Sequence, residues 1–122
     1  MPAHKFKLAI EQGATYDQLV IWKSGPKAST AVPMDLTGCT ARAQFRAEID
    51  SDEVLLELTT ENGRIQLGGP AGTIRLFLDA ATTAAITWES GVYDLEIIFA
   101  DGHVDRFMAG SVVVSKEVTR DA

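Results

Sequence analysis

The chain has 122 residues, 46% hydrophobic and 23% charged, a composition that supports a packed core and excludes a disordered segment. Its 11 basic and 17 acidic residues leave a net charge of −6, and the basic residues are scattered singly along the sequence. Phosphate-neutralising nucleic-acid binding and attachment to anionic membranes are therefore not expected.

The elements follow in chain order. Phe6, Leu8 and Ile10 alternate with Lys7, Ala9 and Glu11, which predicts a first strand broken at Gln12-Gly13. The run Gln18-Leu19-Val20-Ile21-Trp22 is β-branched and aromatic and predicts a second. Residues 23–34 hold Gly25, Pro26 and Pro33 and read as a loop. Ala41, Ala43, Phe45, Ala47 and Ile49 then alternate with Arg42, Gln44, Arg46 and Glu48, the pattern of a strand with one buried and one wet face. A turn at Ile49-Asp50-Ser51-Asp52 returns the chain through Val54-Leu55-Leu56-Glu57-Leu58. Asn62-Gly63 predicts a hairpin, since both residue types accept positive φ.

Ile65 and Leu67 lead to the turn Gly68-Gly69-Pro70-Ala71-Gly72, after which Ile74, Leu76 and Leu78 mark another strand. Asp79 can cap the short alanine-rich stretch up to Ile86, the single helix-like piece. Residues 92–99 are the most apolar run and predict a central strand. Asp101-Gly102 turns it into a hairpin whose second strand, residues 104–118, is expected to kink at Gly110. Short strands with turn signals every few residues and one helical turn point to an all-β, antiparallel sandwich forming one domain over residues 1–122.

Cys39 is the lone cysteine, so no internal disulfide is expected, and His4 and His103 lack the close ligand pairs of a zinc site. No stretch reaches the ~20 apolar residues of a membrane span, and residues 1–7 lack the apolar core of a signal peptide; synthesis in a reducing cytoplasm is expected. Cys39 has no base near it in sequence and reads as a small buried hydrophobe.

His103 sits between Asp101 and Asp105, the one arrangement that suggests acid–base chemistry, but it follows a hairpin turn where a solvated residue is ordinary. The tip Asp50-Ser51-Asp52-Glu53 offers oxygen ligands for calcium without the spacing or glycine of an EF-hand. Gly68-Gly69-Pro70-Ala71-Gly72 lacks the Lys-Ser/Thr of a phosphate loop. Trp22, Trp88, Tyr16 and Tyr93 are dispersed, as core aromatics are, although together they could stack on sugars or bases. Tyr93, just after a turn, has the setting of a tyrosine corner. No catalytic, cofactor-binding or metal-binding residue is assigned.

The order of signals resembles a known group. Gln12-Gly13-Ala14-Thr15-Tyr16 precedes the strand ending in Trp22, and Asp35-Leu36-Thr37-Gly38 leads into Thr40-Ala41-Arg42-Ala43-Gln44-Phe45-Arg46. Gly63-Arg64-Ile65-Gln66-Leu67, Gly72-Thr73-Ile74-Arg75-Leu76, Gly91-Val92-Tyr93-Asp94-Leu95-Glu96, Gly110-Ser111-Val112-Val113-Val114 and Glu117-Val118-Thr119-Arg120 follow. This series resembles small virion structural proteins of tailed bacteriophages and prophages, and is similar to the immunoglobulin-like N-terminal domain of phage baseplate upper proteins. The resemblance implies an immunoglobulin-like sandwich that assembles rather than catalyses, made in the bacterial cytoplasm and resident in the virion. It implies a tail or baseplate place, with capsid decoration or the head–tail junction as alternatives. Expected partners are other phage structural proteins and further copies of the chain. The 1–7 arm, the 23–34 loop and the 119–122 tail are the expected contact surfaces. A carbohydrate-binding module for host adsorption is the alternative of another class, and an enzyme relying on His103 comes third.

Overall fold

The computed structural model describes residues 3–25, 27 and 29–119. It is mostly β. The strands in chain order are β1 (His4–Lys5), β2 (Leu8–Glu11), β3 (Tyr16–Ile21), β4 (Lys23–Ser24), β5 (Val32–Pro33), β6 (Thr40–Arg46), β7 (Leu56–Thr59), β8 (Ile65–Leu67), β9 (Thr73–Leu78), β10 (Ser90–Ile98) and β11 (Val104–Ser115). A 3-10 turn, Gly69–Ala71, joins β8 to β9, and the short helix α1 (Ala80–Ala84) joins β9 to β10. Asp79 caps α1 as the sequence predicts, accepting a 2.8 Å bond from the Thr82 amide.

The larger sheet runs β1-β11-β10-β6-β7, with β2 also on β11; the smaller runs β3-β9-β8. The alternation read from the sequence is what makes these layers. Ala41, Ala43 and Phe45 of β6 face inward, as do Tyr93, Leu95 and Ile97 of β10, and they meet Ile74, Leu76 and Leu78 of β9 in one hydrophobic core. As predicted, β10 is central, flanked by β6 and β11.

Several local expectations are corrected. The Asn62-Gly63 turn is not a hairpin: β7 pairs with β6 and β8 with β9, so the turn carries the chain from one sheet to the other. Only Gly63, at φ +79°, is left-handed there, and Asn62 instead uses its side chain on the backbone. The irregularity in β11 falls at Phe107 rather than at Gly110: Leu95 faces Met108 while Glu96 faces Arg106, leaving Phe107 as an extra residue. Both Phe107 and Met108 are buried, which the period of two alone does not permit. Gly110 has a different task, since a Cβ there would stand 2.5 Å from the Phe6 carbonyl oxygen. The 23–34 loop, in which residues 26 and 28 lie outside the described set, contains the β4–β5 ladder.

The predicted first strand is split into β1 and β2, and both pair parallel to β11, an exception to the antiparallel expectation. Phe6 lies at the split; its amide donates to Ala109 O at 3.0 Å and its carbonyl accepts the Tyr93 hydroxyl at 2.6 Å. Tyr93 is thus no tyrosine corner. It bonds Phe6, 87 positions away, instead of a residue a few positions upstream.

Candidate docking surfaces

β3 is an edge strand. It pairs with β9 on one side, and among the described residues no strand pairs with the other. The Trp22 amide donates to Gly72 O, which fixes the phase of the antiparallel ladder; by alternation the N–H and C=O groups of Asp17, Leu19 and Ile21 point away from β9. On this open edge the Gln18 side-chain amide reaches Leu19 O at 3.3 Å. The side chains of the same three residues lie on the outer face of the sheet. Leu19 is 55% exposed and Ile21 51%, and Val32 in the adjoining β4–β5 ladder is 61% exposed. Asp17 is the strand's single charge, and Arg75 of β9 holds it through two bonds of 2.8 and 2.6 Å, keeping its carboxyl below the ordinary value mainly through that hydrogen bonding. Arg75 also lies 5.0 Å over the Phe77 ring.

β7, one edge of the larger sheet, is treated differently. The Asn62 Oδ1 atom accepts from the Thr59 amide at 2.9 Å, and Asn62 Nδ2 and Arg64 Nη1 both donate to Glu57 O, at 3.0 and 2.9 Å. Side chains thus occupy backbone groups of β7 that a further strand would need.

The residues singled out from the sequence fall apart spatially. His103 is exposed, stacks on Phe99 with centroids 4.3 Å apart, and stands 3.3 Å from Asp101 and 3.6 Å from Asp105. The Asp101 carboxylate is occupied with the His103 amide at 3.0 Å, and that bond lowers its pKa. No nucleophile joins this cluster among its bonded partners. The Cys39 thiol is held above its usual pKa by burial and by Asp35 and Asp101, the opposite of an activated nucleophile. At the acidic tip, Arg46 donates to Ser51 O and Asp52 O at 2.7 and 2.8 Å, and Ser51 Oγ accepts from the Glu48 amide. The turn is therefore built by an arginine on carbonyl oxygens. Among the described residues no group of three acidic, histidine or cysteine side chains could hold a metal ion.

The aromatics divide between core and rim. Trp22 packs 5.0 Å from Phe107 and 5.9 Å from Phe99, while Trp88 meets Phe45 edge-on at 6.2 Å and lines a cleft of about 450 Å³ with Leu55, Thr82 and Ile86. Tyr16, packed against the core, has no hydrogen-bond partner for its hydroxyl among the described residues. Burial pushes its pKa up to about 12. Of the expected contact surfaces, residues 1 and 2 of the arm and 120–122 of the tail lie outside the described residues. The β3 edge was not singled out from the sequence. Its signal was present in Leu19-Val20-Ile21, apolar on both faces where a strand with one wet face would alternate.

A scan against protein-family models finds no match to this chain, and a search of curated proteins finds none.

Proposed function

We propose that this chain is a non-enzymatic structural or adaptor component of a tailed-phage particle, of the tail or baseplate, built as an immunoglobulin-like sandwich. The order of motifs supports the particle. The strand orders β1/β2-β11-β10-β6-β7 and β3-β9-β8, with the first strand parallel to the last, support the immunoglobulin-like arrangement.

The observation that carries the assembly reading is the open edge of β3: six residues without proline, three outward side chains of which two are apolar, and a lone carboxylate already paired. Proteins that must stay apart blunt such an edge with lysine, proline or a bulge. Left open, it accepts a strand from a neighbouring subunit by backbone hydrogen bonding, and Leu19, Ile21 and Val32 supply the apolar contact beside it. Repeated copies in a ring or lattice then strengthen each contact through high local concentration.

The test is the mass in solution by light scattering over a range of concentrations, for the native chain and for Ile21→Lys. A defined oligomer that the lysine variant dissolves, while keeping a cooperative thermal transition that shows it folded, is the expected result. A native monomer at every concentration excludes self-assembly through this edge. The carbohydrate-binding alternative draws on Trp88 in the wall of its cleft; quenching or enhancement of its fluorescence by added glycans would favour it.

A further inference from the structure

The outer face of the larger sheet carries a second surface of different chemistry. It is a concavity of about 730 Å³, floored by Ala109 and Gly110 and rimmed by Lys5, Arg42, Arg46 and Arg106. Four of the chain's 11 basic side chains thus converge on one face of a protein whose net charge is −6. Three carboxylates share the face: Glu96 pairs with Arg42 at 2.8 Å, Asp94 with Arg106 at 3.5 Å, and Glu57 accepts from Gln44 Nε2 at 3.0 Å. Lys5 and Arg46 meet no carboxylate within ion-pair distance among the described residues, because Arg46 spends its donors on Ser51 O, Asp52 O and the Gln44 side-chain oxygen. Among the described residues Lys5 and Arg46 are thus the two cations of the concavity that no carboxylate neutralises.

The register explains how singly scattered residues meet. Arg106, Glu96, Arg42 and Thr59 lie on one rung across β11, β10, β6 and β7; Lys5, Ala109, Asp94, Gln44 and Glu57 lie on the next. Ala109 leaves the floor low where a longer side chain would stand, and Ile49 is 86% exposed at the rim.

We propose that this concavity docks an extended acidic segment of a partner protein, one that also presents an apolar side chain to Ile49. An extended chain places alternate side chains on the same side, matching carboxylates to the rim while its backbone approaches the small-residue floor. Charge complementarity selects the occupant. The surface lies on the other sheet from the β3 edge, so the inference goes beyond the assembly reading, and either can fail without the other.

The test titrates isotopically labelled protein with a peptide of about eight residues that alternates glutamate and threonine around one central leucine. Amide resonances of Val92, Asp94, Ala109 and Gly110 should shift. Affinity should fall at least about tenfold in Arg42→Gln/Arg106→Gln, and fall again as salt is raised past the point where the screening length drops below about 5 Å. Both arginines are exposed surface residues, and a thermal melt checks that the double variant is folded. Shifts confined to other surfaces, an unchanged affinity in the variant, or equal binding of a lysine–threonine peptide would overturn the proposal. So would tighter binding of a heparin oligosaccharide of matched charge, which would make the occupant an anionic polysaccharide.

Discussion

The two sheets share one interior and differ almost entirely outside it. β6 turns Arg42, Gln44 and Arg46 to solvent, whereas β3 turns out Asp17, Leu19 and Ile21. Their sheets' open edges differ in the same sense. β7 has backbone groups engaged by Asn62 and Arg64, and β3 has only the Gln18 amide on Leu19 O among the described residues. Inward residues of a small β protein answer to a common packing demand. Outward residues answer to what each surface must meet or avoid, and that is where the two faces part.

Three predictions can break or sharpen this contrast. The largest effect belongs to the shared interior. Leu76→Ala, under the apolar outer face, and Leu95→Ala, under the charged one, remove fully buried side chains and should each cost about 2–5 kcal/mol in chemical denaturation. A loss at Leu76 far below that at Leu95 would show that the smaller sheet contributes little to the core, and the shared-interior premise would fall.

The second prediction concerns the sealed edge. Asn62→Ala deletes the bonds from the Thr59 and Arg64 amides and to the Glu57 carbonyl at the rim of β7, and should cost about 2 kcal/mol. It should also make the chain more prone to self-association, measurable by light scattering beside Ile21→Lys, which should act in the reverse direction. If neither variant alters association, the different treatment of the two edges has no bearing on assembly.

The smallest effect distinguishes two tyrosines. Tyr93→Phe removes the 2.6 Å bond that ties Phe6 to the sheet and should cost about 1 kcal/mol, with faster amide exchange in β2. Tyr16→Phe removes a hydroxyl without a partner among the described residues and should be neutral or slightly stabilising. Both phenols have raised pKa values: Tyr16 by burial, to about 12 from 10.0, and Tyr93 by burial and by its proximity to Tyr16. A raised folded pKa favours the protonated form, so their contribution is whole below the ordinary tyrosine value and lost as pH climbs from there through the folded values. Absorbance of tyrosinate should therefore appear together with unfolding. Ionisation of both rings near pH 10 with the fold intact would contradict the burial.

Much of this was legible in the residues. Alternation from Ala41 to Ile49 revealed the strand and its buried side as far as Arg46, where the strand ends and leaves Ile49 exposed, and Asp79 announced the helix it caps. Asn62-Gly63 marked a turn correctly but not its partners, because a turn signal is local and strand pairing is not. Phe107-Met108 reads as two apolar neighbours, and only the ladder shows that one is an insertion. The cluster of basic residues was the least legible. Lys5, Arg42, Arg46 and Arg106 span the chain, and spacing along it holds no trace of a register that aligns them.

The parallel seating of β1 and β2 on β11 has a mechanical consequence. Neighbouring parallel strands enter and leave at opposite ends of the sheet, so tension applied at Ala3 and Thr119 would slide β1 and β2 along β11. Their hydrogen bonds would then bear the load together, in shear, rather than opening one after another as in a peeled hairpin. Pulled along this axis, the protein resists as a lap joint, and the Tyr93–Phe6 bond is the rivet that crosses it.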